Sequence, residues 1–180
     1  MPANVTVSIT IDDLMTALRG FLLSVTGVTE VIQAYSNNVP MPKGESIIMS
    51  DIGTKGLSTD ITEYDGASGT AQHSRSTQWR CQIDIYGERA HDLATIVATL
   101  WRSTYGCDDL AQRLPGFQPL YSSEPRQMNF ISGEANYEPR YTLDLISNFH
   151  PIVTVPQAFA TRLDLHSLVE VDSTYPPDKD

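Results

Sequence analysis

Four histidines, two cysteines and two doubled aspartates are the residues of this chain best suited to chemistry, and their spacing decides whether they can perform it. A zinc site needs ligands at short, fixed intervals on one element. His73, His91, His150 and His166 form no HExxH pair, and none stands at finger spacing from a cysteine. Cys81 and Cys107 make neither a CxxC unit nor a disulfide framework. Gly66-Ala67-Ser68-Gly69 is one residue short of a nucleophile elbow, and no lysine follows it to hold a phosphate. Asp12-Asp13 and Asp108-Asp109 are adjacent in sequence, so on a helix their carboxylates point apart and cannot act as a facing acid/base pair. Both pairs are expected at helix starts, where the dipole favours them. The expectation is a protein with no catalytic, cofactor-binding or metal-binding residues, working through its surfaces.

Composition narrows the partners. The 180 residues carry 22 acidic and 12 basic side chains, a net charge of −10. A sequence-independent nucleic-acid binder needs a basic patch to displace counterions, so the charge argues against that class. An acidic surface that lets DNA slide past is compatible with the same charge. Hydrophobic residues make up 41% of the chain, enough for a sizeable core. The N-terminus has no basic and long apolar run of the signal-peptide kind, no stretch reaches membrane-spanning length, and the expected place of synthesis and folding is a cytoplasm. Residues 1–171 are expected to form a single domain and 172–180, with Pro176-Pro177, a flexible tail.

The elements that would hold any site follow from periodicity. Leu14, Leu18, Phe21, Leu22 and Val25 recur at helical spacing over 11–26, with Thr10 and Asp13 as a capping box and Gly27 as the stop. A strand is expected at 31–35, a proline-stiffened loop at 36–44, and an apolar strand at 46–52. Eight of the 21 residues from 58 to 78 are Ser or Thr, and Gly66–Gly69 reads as a turn, so a long polar β-hairpin reaching beyond the core is expected there. From 78 to 86, Trp79, Cys81, Ile83 and Ile85 alternate with Gln78, Arg80, Gln82, Asp84 and Tyr86. The polar set would form an open outer face suited to binding. At 88–105 the period becomes helical, with Ala90, Leu93, Ala94, Val97, Leu100 and Trp101 inward and Gly106 as C-cap. A short helix at 107–114 and extended segments at 118–123 and 127–131 come next. Residues 137–149 repeat the alternation seen around Cys81 and should pair beside it. Leu163, Leu165 and Leu168 suggest a last strand. The order gives an α+β fold: a mixed, mainly antiparallel sheet, helices on one face, and a protruding hairpin.

Several segments together resemble tailed-phage neck or tail terminator proteins. They are "NNVPMPKGESIIMSD", "QWRCQIDIYGERAHDLATIVATLWRSTYG" and "PLYSSEPRQMNFISGEANYEPRYTLDL", in order within residues 12–177. The resemblance rests on the Asn38-Val39-Pro40 turn, on Asp84-x-Tyr86-Gly87 with the helix after it, and on Gly133-Glu134-x-x-Tyr137-x-x-Arg140-Tyr141. Tyr141 stands where a tryptophan is expected. The resemblance implies a homo-oligomeric ring, usually a hexamer, at the head-proximal end of a tail. Such a ring stops polymerisation of the tail tube protein and docks a neck or head-completion protein. DNA passes through without specific binding. It also implies a virion location at the tail–neck junction, reached by assembly in the host bacterial cytoplasm, and a family without catalytic residues.

Contact residues expected on this basis are Asn37, Asn38 and Pro40 in the stiff loop and Thr59, Glu63, His73 and Arg75 in the hairpin. Glu134, Tyr137 and Arg140 complete the set, with an internal Glu134–Arg140 ion pair as an equal alternative. The segment 45–66 holds five acids and one lysine, a local balance of −4, and its Asp60, Glu63 and Asp65 are expected to face the lumen. Two other readings stand beside the ring: a connector or head-completion protein in an adjacent layer, and a small prophage-encoded hydrolase.

Overall fold

The computed structural model describes residues 4–34, 44–128, 130–131 and 137–160. Helix α1 (Ile11–Thr26) starts as its capping box dictates. The Asp13 amide donates to Thr10 Oγ1 at 3.2 Å, and the Thr10 amide donates back to Asp13 Oδ2 at 2.8 Å. Gly27 ends the helix in the left-handed conformation, φ 67°, with its amide on the Leu23 carbonyl.

The central sheet is built from β2 (Glu30–Gln33), β3 (Ser46–Gly56), β6 (Thr77–Tyr86), β11 (Arg140–Phe149) and β7 (Gln118–Ser122), in that order, with β8 (Arg126–Gln127) also on β11. β2 and β3 are parallel, and the other pairs are antiparallel. The expected pairing of the two alternating strands is present, running from Arg140↔Tyr86 to Phe149↔Thr77. β3 continues four residues beyond the expected end. A bulge between Asp51 and Gly53 lets it do so, with Gly53 at φ 127° and its amide on Asp51 Oδ1 at 3.0 Å.

Trp79, Cys81, Ile83 and Ile85 of β6 and Leu143, Leu145 and Phe149 of β11 are buried in one apolar core with α1, α2 (Ala90–Trp101) and α3 (Thr104–Arg113). Its centre is aromatic: Trp101 lies edge-on to Phe21 and Phe117 at 5.6 and 6.4 Å between centroids, and Trp79 lies 5.9 Å from Phe117.

The helical region differs from expectation. Instead of one helix to Tyr105, the chain breaks after Trp101, whose indole N–H donates to the Ile146 carbonyl at 3.1 Å and ties the helix end to β11. Ser103 then caps α3, accepting the Gly106 amide at 3.2 Å. Gly106 is therefore inside α3. A Cβ there would fall 2.3 Å from the Leu100 carbonyl oxygen, so glycine is required for the close turn between helices. Because α3 begins at Thr104, Asp108 and Asp109 lie past its first turn. Asp109 instead pairs with Arg113 one turn on, at 2.6 Å.

A second sheet orders β1 (Thr6–Val7), β12 (Ile152–Pro156), β5 (Thr70–Ser74) and β4 (Ile61–Asp65). β4 and β5 are the hairpin expected within 58–78, in register from Ile61↔Ser74 to Asp65↔Thr70. Asp65 shapes its turn by accepting from the Ala67 amide at 2.9 Å and the Ser68 hydroxyl at 2.7 Å. The hairpin does not stand alone, because β12 pairs along the other edge of β5 and takes β1 on its far side. Periodicity does not mark either added strand. β9 (Phe130–Ile131) and β10 (Tyr137–Glu138) form a separate two-stranded ladder. The strand expected around Leu163, Leu165 and Leu168 and the tail at 172–180 lie outside the described residues.

Candidate assembly surfaces

The outer face of the central sheet, opposite the helices, is where alternation placed the polar residues of β6. It is polar but not open. Asp84 and Tyr86 retain 5% and 8% exposure, which corrects the expectation of a solvated face carrying Gln82, Asp84 and Tyr86. Register supplies the reason. Thr142 lies directly across from Asp84, and Arg140 across from Tyr86. Asp84 Oδ1 therefore accepts from Arg140 Nη2 at 2.9 Å and Nε at 3.1 Å and from the Thr142 hydroxyl, while Gln82 Nε2 donates to Oδ2 at 3.2 Å. The Arg140 guanidinium also lies 5.6 Å from the Tyr86 ring centroid. A charge this buried persists only when paired and hydrogen-bonded, and Asp84 is both.

Two residues along β11, Asp144 is equally buried. Its Oδ2 meets Arg80 Nη2 at 2.7 Å and Arg126 Nη2 at 3.8 Å, while Oδ1 is buried with no hydrogen-bond partner. The two arginines reach in from the surface, their side chains 53% and 63% exposed.

At the end of this face, Gly87 has φ 113°, and a Cβ there would strike Glu45 Cγ at 2.7 Å. Glu45 and Arg89 form a fork-to-fork pair over the strand-to-helix turn. The Arg89 hydrogen bond holds the Glu45 carboxyl below the ordinary glutamate range.

The hairpin is a different surface. Every residue of β4 is exposed, Ile61 at 59% and Tyr64 at 68%, and its outer edge has no strand beside it among the described residues. Thr59, Asp60, Glu63 and Asp65 are exposed as well. Hydrogen bonds from Ser68 and the turn amides lower the Asp65 carboxyl's pKa, so it stays charged. Thr62 Oγ1 and His73 Nδ1 lie 3.1 Å apart across the hairpin. A groove of about 480 Å³ between this sheet and the core brings together Asp60, His73 and Arg75, lined also by Val7, Ile9 and Phe149. No hydrogen bond or ion pair joins the three polar residues to one another. Cys81, a plausible nucleophile only as a thiolate, is buried, and that burial pushes its pKa far upward.

The expected contact residues are thus spread over the molecule. Thr59, Glu63, His73 and Arg75 are grouped on the hairpin sheet. Arg140 is on the central sheet, with Asp84 as its ionic partner. Tyr137 begins β10. Asn37, Asn38, Pro40 and Glu134 lie outside the described residues, so the Glu134 alternative for Arg140 does too. Sequence reasoning missed Arg80, Arg126 and Asp144 as a group, because they come together only through strand register.

The fold is an α+β sandwich with an ion-paired outer sheet face and an exposed hairpin. A family model described as phage neck terminator protein matches residues 12–174, nearly the whole length, and the chain belongs to that family. It is therefore a structural component of the bacteriophage tail at the neck. No curated protein matches the chain. Among solved structures, the fold is shared with the sheath/tube terminator of an extracellular contractile injection system, PVC, determined by cryo-EM in its extended state. The TM-score is 0.56 at 12% identity, covering 93% of this chain and 66% of the other, just under two thirds. Among the described residues no helix is long and apolar enough to cross a membrane.

Proposed function

We propose that the protein forms a ring, a hexamer in the usual arrangement of such subunits, on the head-proximal end of a phage tail. The ring ends polymerisation of the tail tube and presents its other face to a neck or head-completion protein, with DNA passing through the central opening. Family membership over residues 12–174 carries the reading. The β4 edge, unpaired among the described residues, supports it, since an exposed edge invites pairing with another chain. The net charge of −10 supports passage over binding, because an acidic wall repels phosphates. The protein sharing this fold is the sheath/tube terminator of a contractile injection system, consistent with a terminating position here.

Virions assembled without this protein test the reading by electron microscopy. Overlong or headless tails are the expected outcome. Filled heads that leak DNA beside tails of normal length would instead move the protein one layer up, to a connector.

A further inference from the structure

One end of the outer face of the central sheet is cationic on a chain that is strongly acidic. Lys55 of β3, Arg80 of β6, Arg126 of β8 and Arg140 of β11 share that face by register. Opposing them are the two buried carboxylates Asp84 and Asp144 and exposed Glu30 of β2, which register with Ser46 and Tyr86 sets on the same face, so the balance over the whole face is +1. Exposed Glu124, two residues before Arg126, brings the whole face to neutral, but at the Lys55/Arg80/Arg126 end three cations face only Asp144 and Glu124, a balance of +1. Arg80 and Arg126 both lean on a single carboxylate oxygen of Asp144, so between them they have donor capacity to spare at the surface. The second oxygen of Asp144 is buried without a hydrogen-bond partner among the described residues, so the carboxylate leans on the two arginines alone through its other oxygen.

The hairpin has the opposite character. From residue 57 to residue 75 there are three acids and one arginine, Arg75 at its base, a balance of −2. Asp60 and Glu63 are exposed and have no hydrogen-bond or ion-pair partner among the described residues. Glu63 shares its strand face with Ile61 and Asp65, and the β-pairing puts Gln72 and Thr70 beside them. One molecule therefore carries an acidic, hydroxyl-rich arm and, on another sheet, a face rich in cationic donors.

We infer that the hairpin of one copy docks on the Lys55/Arg80/Arg126 face of the next, so that each ring joint is a head-to-tail contact between unlike surfaces. The inference rests on the ring reading and gives it a joint. A contact between two different patches propagates from subunit to subunit and closes when the rotation allows. Charge complementarity would also speed and orient assembly and reject the wrong face. Asp60 and Glu63 then belong to the joint, not to the lumen wall where sequence alone would put them.

Charge reversal tests it. Asp60→Lys/Glu63→Lys alters only exposed side chains, and Lys55→Glu/Arg126→Glu leaves Arg80 in place on Asp144. Association is followed by sedimentation velocity and light scattering at about 0.1 M salt, where the Debye length is about 10 Å. Each double variant should associate at least tenfold more weakly than the parent, while circular dichroism shows both folded. All four reversals in one chain should restore association to within a few-fold of the parent. Rings that form equally well in all variants would overturn the joint and leave the ring standing. A parent chain that never associates, with normal tails in its absence, would overturn the ring itself. Loss of association on removing residues 172–180 alone would give the cationic face to the tail segment instead. Duplex DNA binding abolished by Lys55→Glu/Arg126→Glu, with association intact, would give it to DNA.

Discussion

β6 and β4 are both strands, yet they use their side chains in opposite ways. In β6, Trp79, Cys81, Ile83 and Ile85 fall to 1% exposure or less under the helices, and even its outer face buries Asp84 and Tyr86. In β4 all five residues are exposed, two large apolar ones among them. A strand of the first kind holds the subunit together. One of the second kind contributes little to the isolated fold, so its composition reflects what it meets elsewhere. Mutations in the two strands' surroundings should therefore separate folding from assembly.

The largest effect is expected beneath β6. Trp101 is fully buried, packs on Phe21 and Phe117, and ties α2 to the Ile146 carbonyl. Trp101→Ala should cost about 3–5 kcal/mol of unfolding free energy, read from urea denaturation. A loss near 1 kcal/mol would mean the core side is no more demanding than the hairpin, and the contrast would collapse.

The outer face of the same sheet should come next. Asp84→Ala strands Arg140, which is still partly solvated at 24% side-chain exposure, so the cost is set at about 2 kcal/mol, below that of a fully buried pair. Removing Arg140 as well should recover part of it, because the cost arises from an unpartnered charge. Additive losses in the double-mutant cycle would show that the pair is not coupled.

How much of this contrast sequence reveals depends on whether an element is specified locally. The alternation in 78–86 and 137–149 identifies two strands and their core faces without any tertiary information, although 137–138 form the separate β10 and the paired strand starts at Arg140. The capping box at Thr10 and Asp13 does the same for α1. The break between α2 and α3 was hidden, because Leu100, Trp101 and Tyr105 continue a helical period and Gly106 imitates a cap. What ends α2 is a contact with β11, 45 residues away in sequence. β1 and β12 are too short to show a period: β12 pairs on the edge that β5 offers, and β1 on the edge of β12. The cationic end of the outer face was hidden for a related reason: residue spacing gives each strand's faces but not the register that sets Arg80 and Arg126 around Asp144. The hairpin's turn was legible because Asp65, Ser68 and Gly69 specify it among themselves.

A smaller effect is expected at the N-terminal cap of α1, which is exposed although the helix itself lines the core. Thr10→Ala removes a capping oxygen and should cost about 1 kcal/mol. The same change alters the pH response. The Thr10 hydroxyl, and then its amide, hold the Asp13 carboxyl below the ordinary aspartate value. A carboxyl depressed in the folded state adds stability above its unfolded pKa and loses it as pH falls through the lower folded value. Thr10→Ala should flatten that acid-side loss, visible as a shallower fall in melting temperature below about pH 4. An unchanged acid slope would show that the capping box does not couple to folding.

The smallest effect on folding is expected on the hairpin itself. Ile61 is 59% exposed at the start of the free β4 strand, across from Ser74. Ile61→Ser should change stability by no more than about 0.5 kcal/mol, as for surface sites away from caps, cores and ion pairs. Its apolar surface shares a strand face with Glu63, so the same substitution should weaken association of the subunits even though each subunit melts as before. A stability loss above 1 kcal/mol would place Ile61 in the fold's own core, and β4 would then resemble β6. Unchanged stability with unchanged association would leave its exposed apolar surface without a role in the joint and confine that joint to the carboxylates.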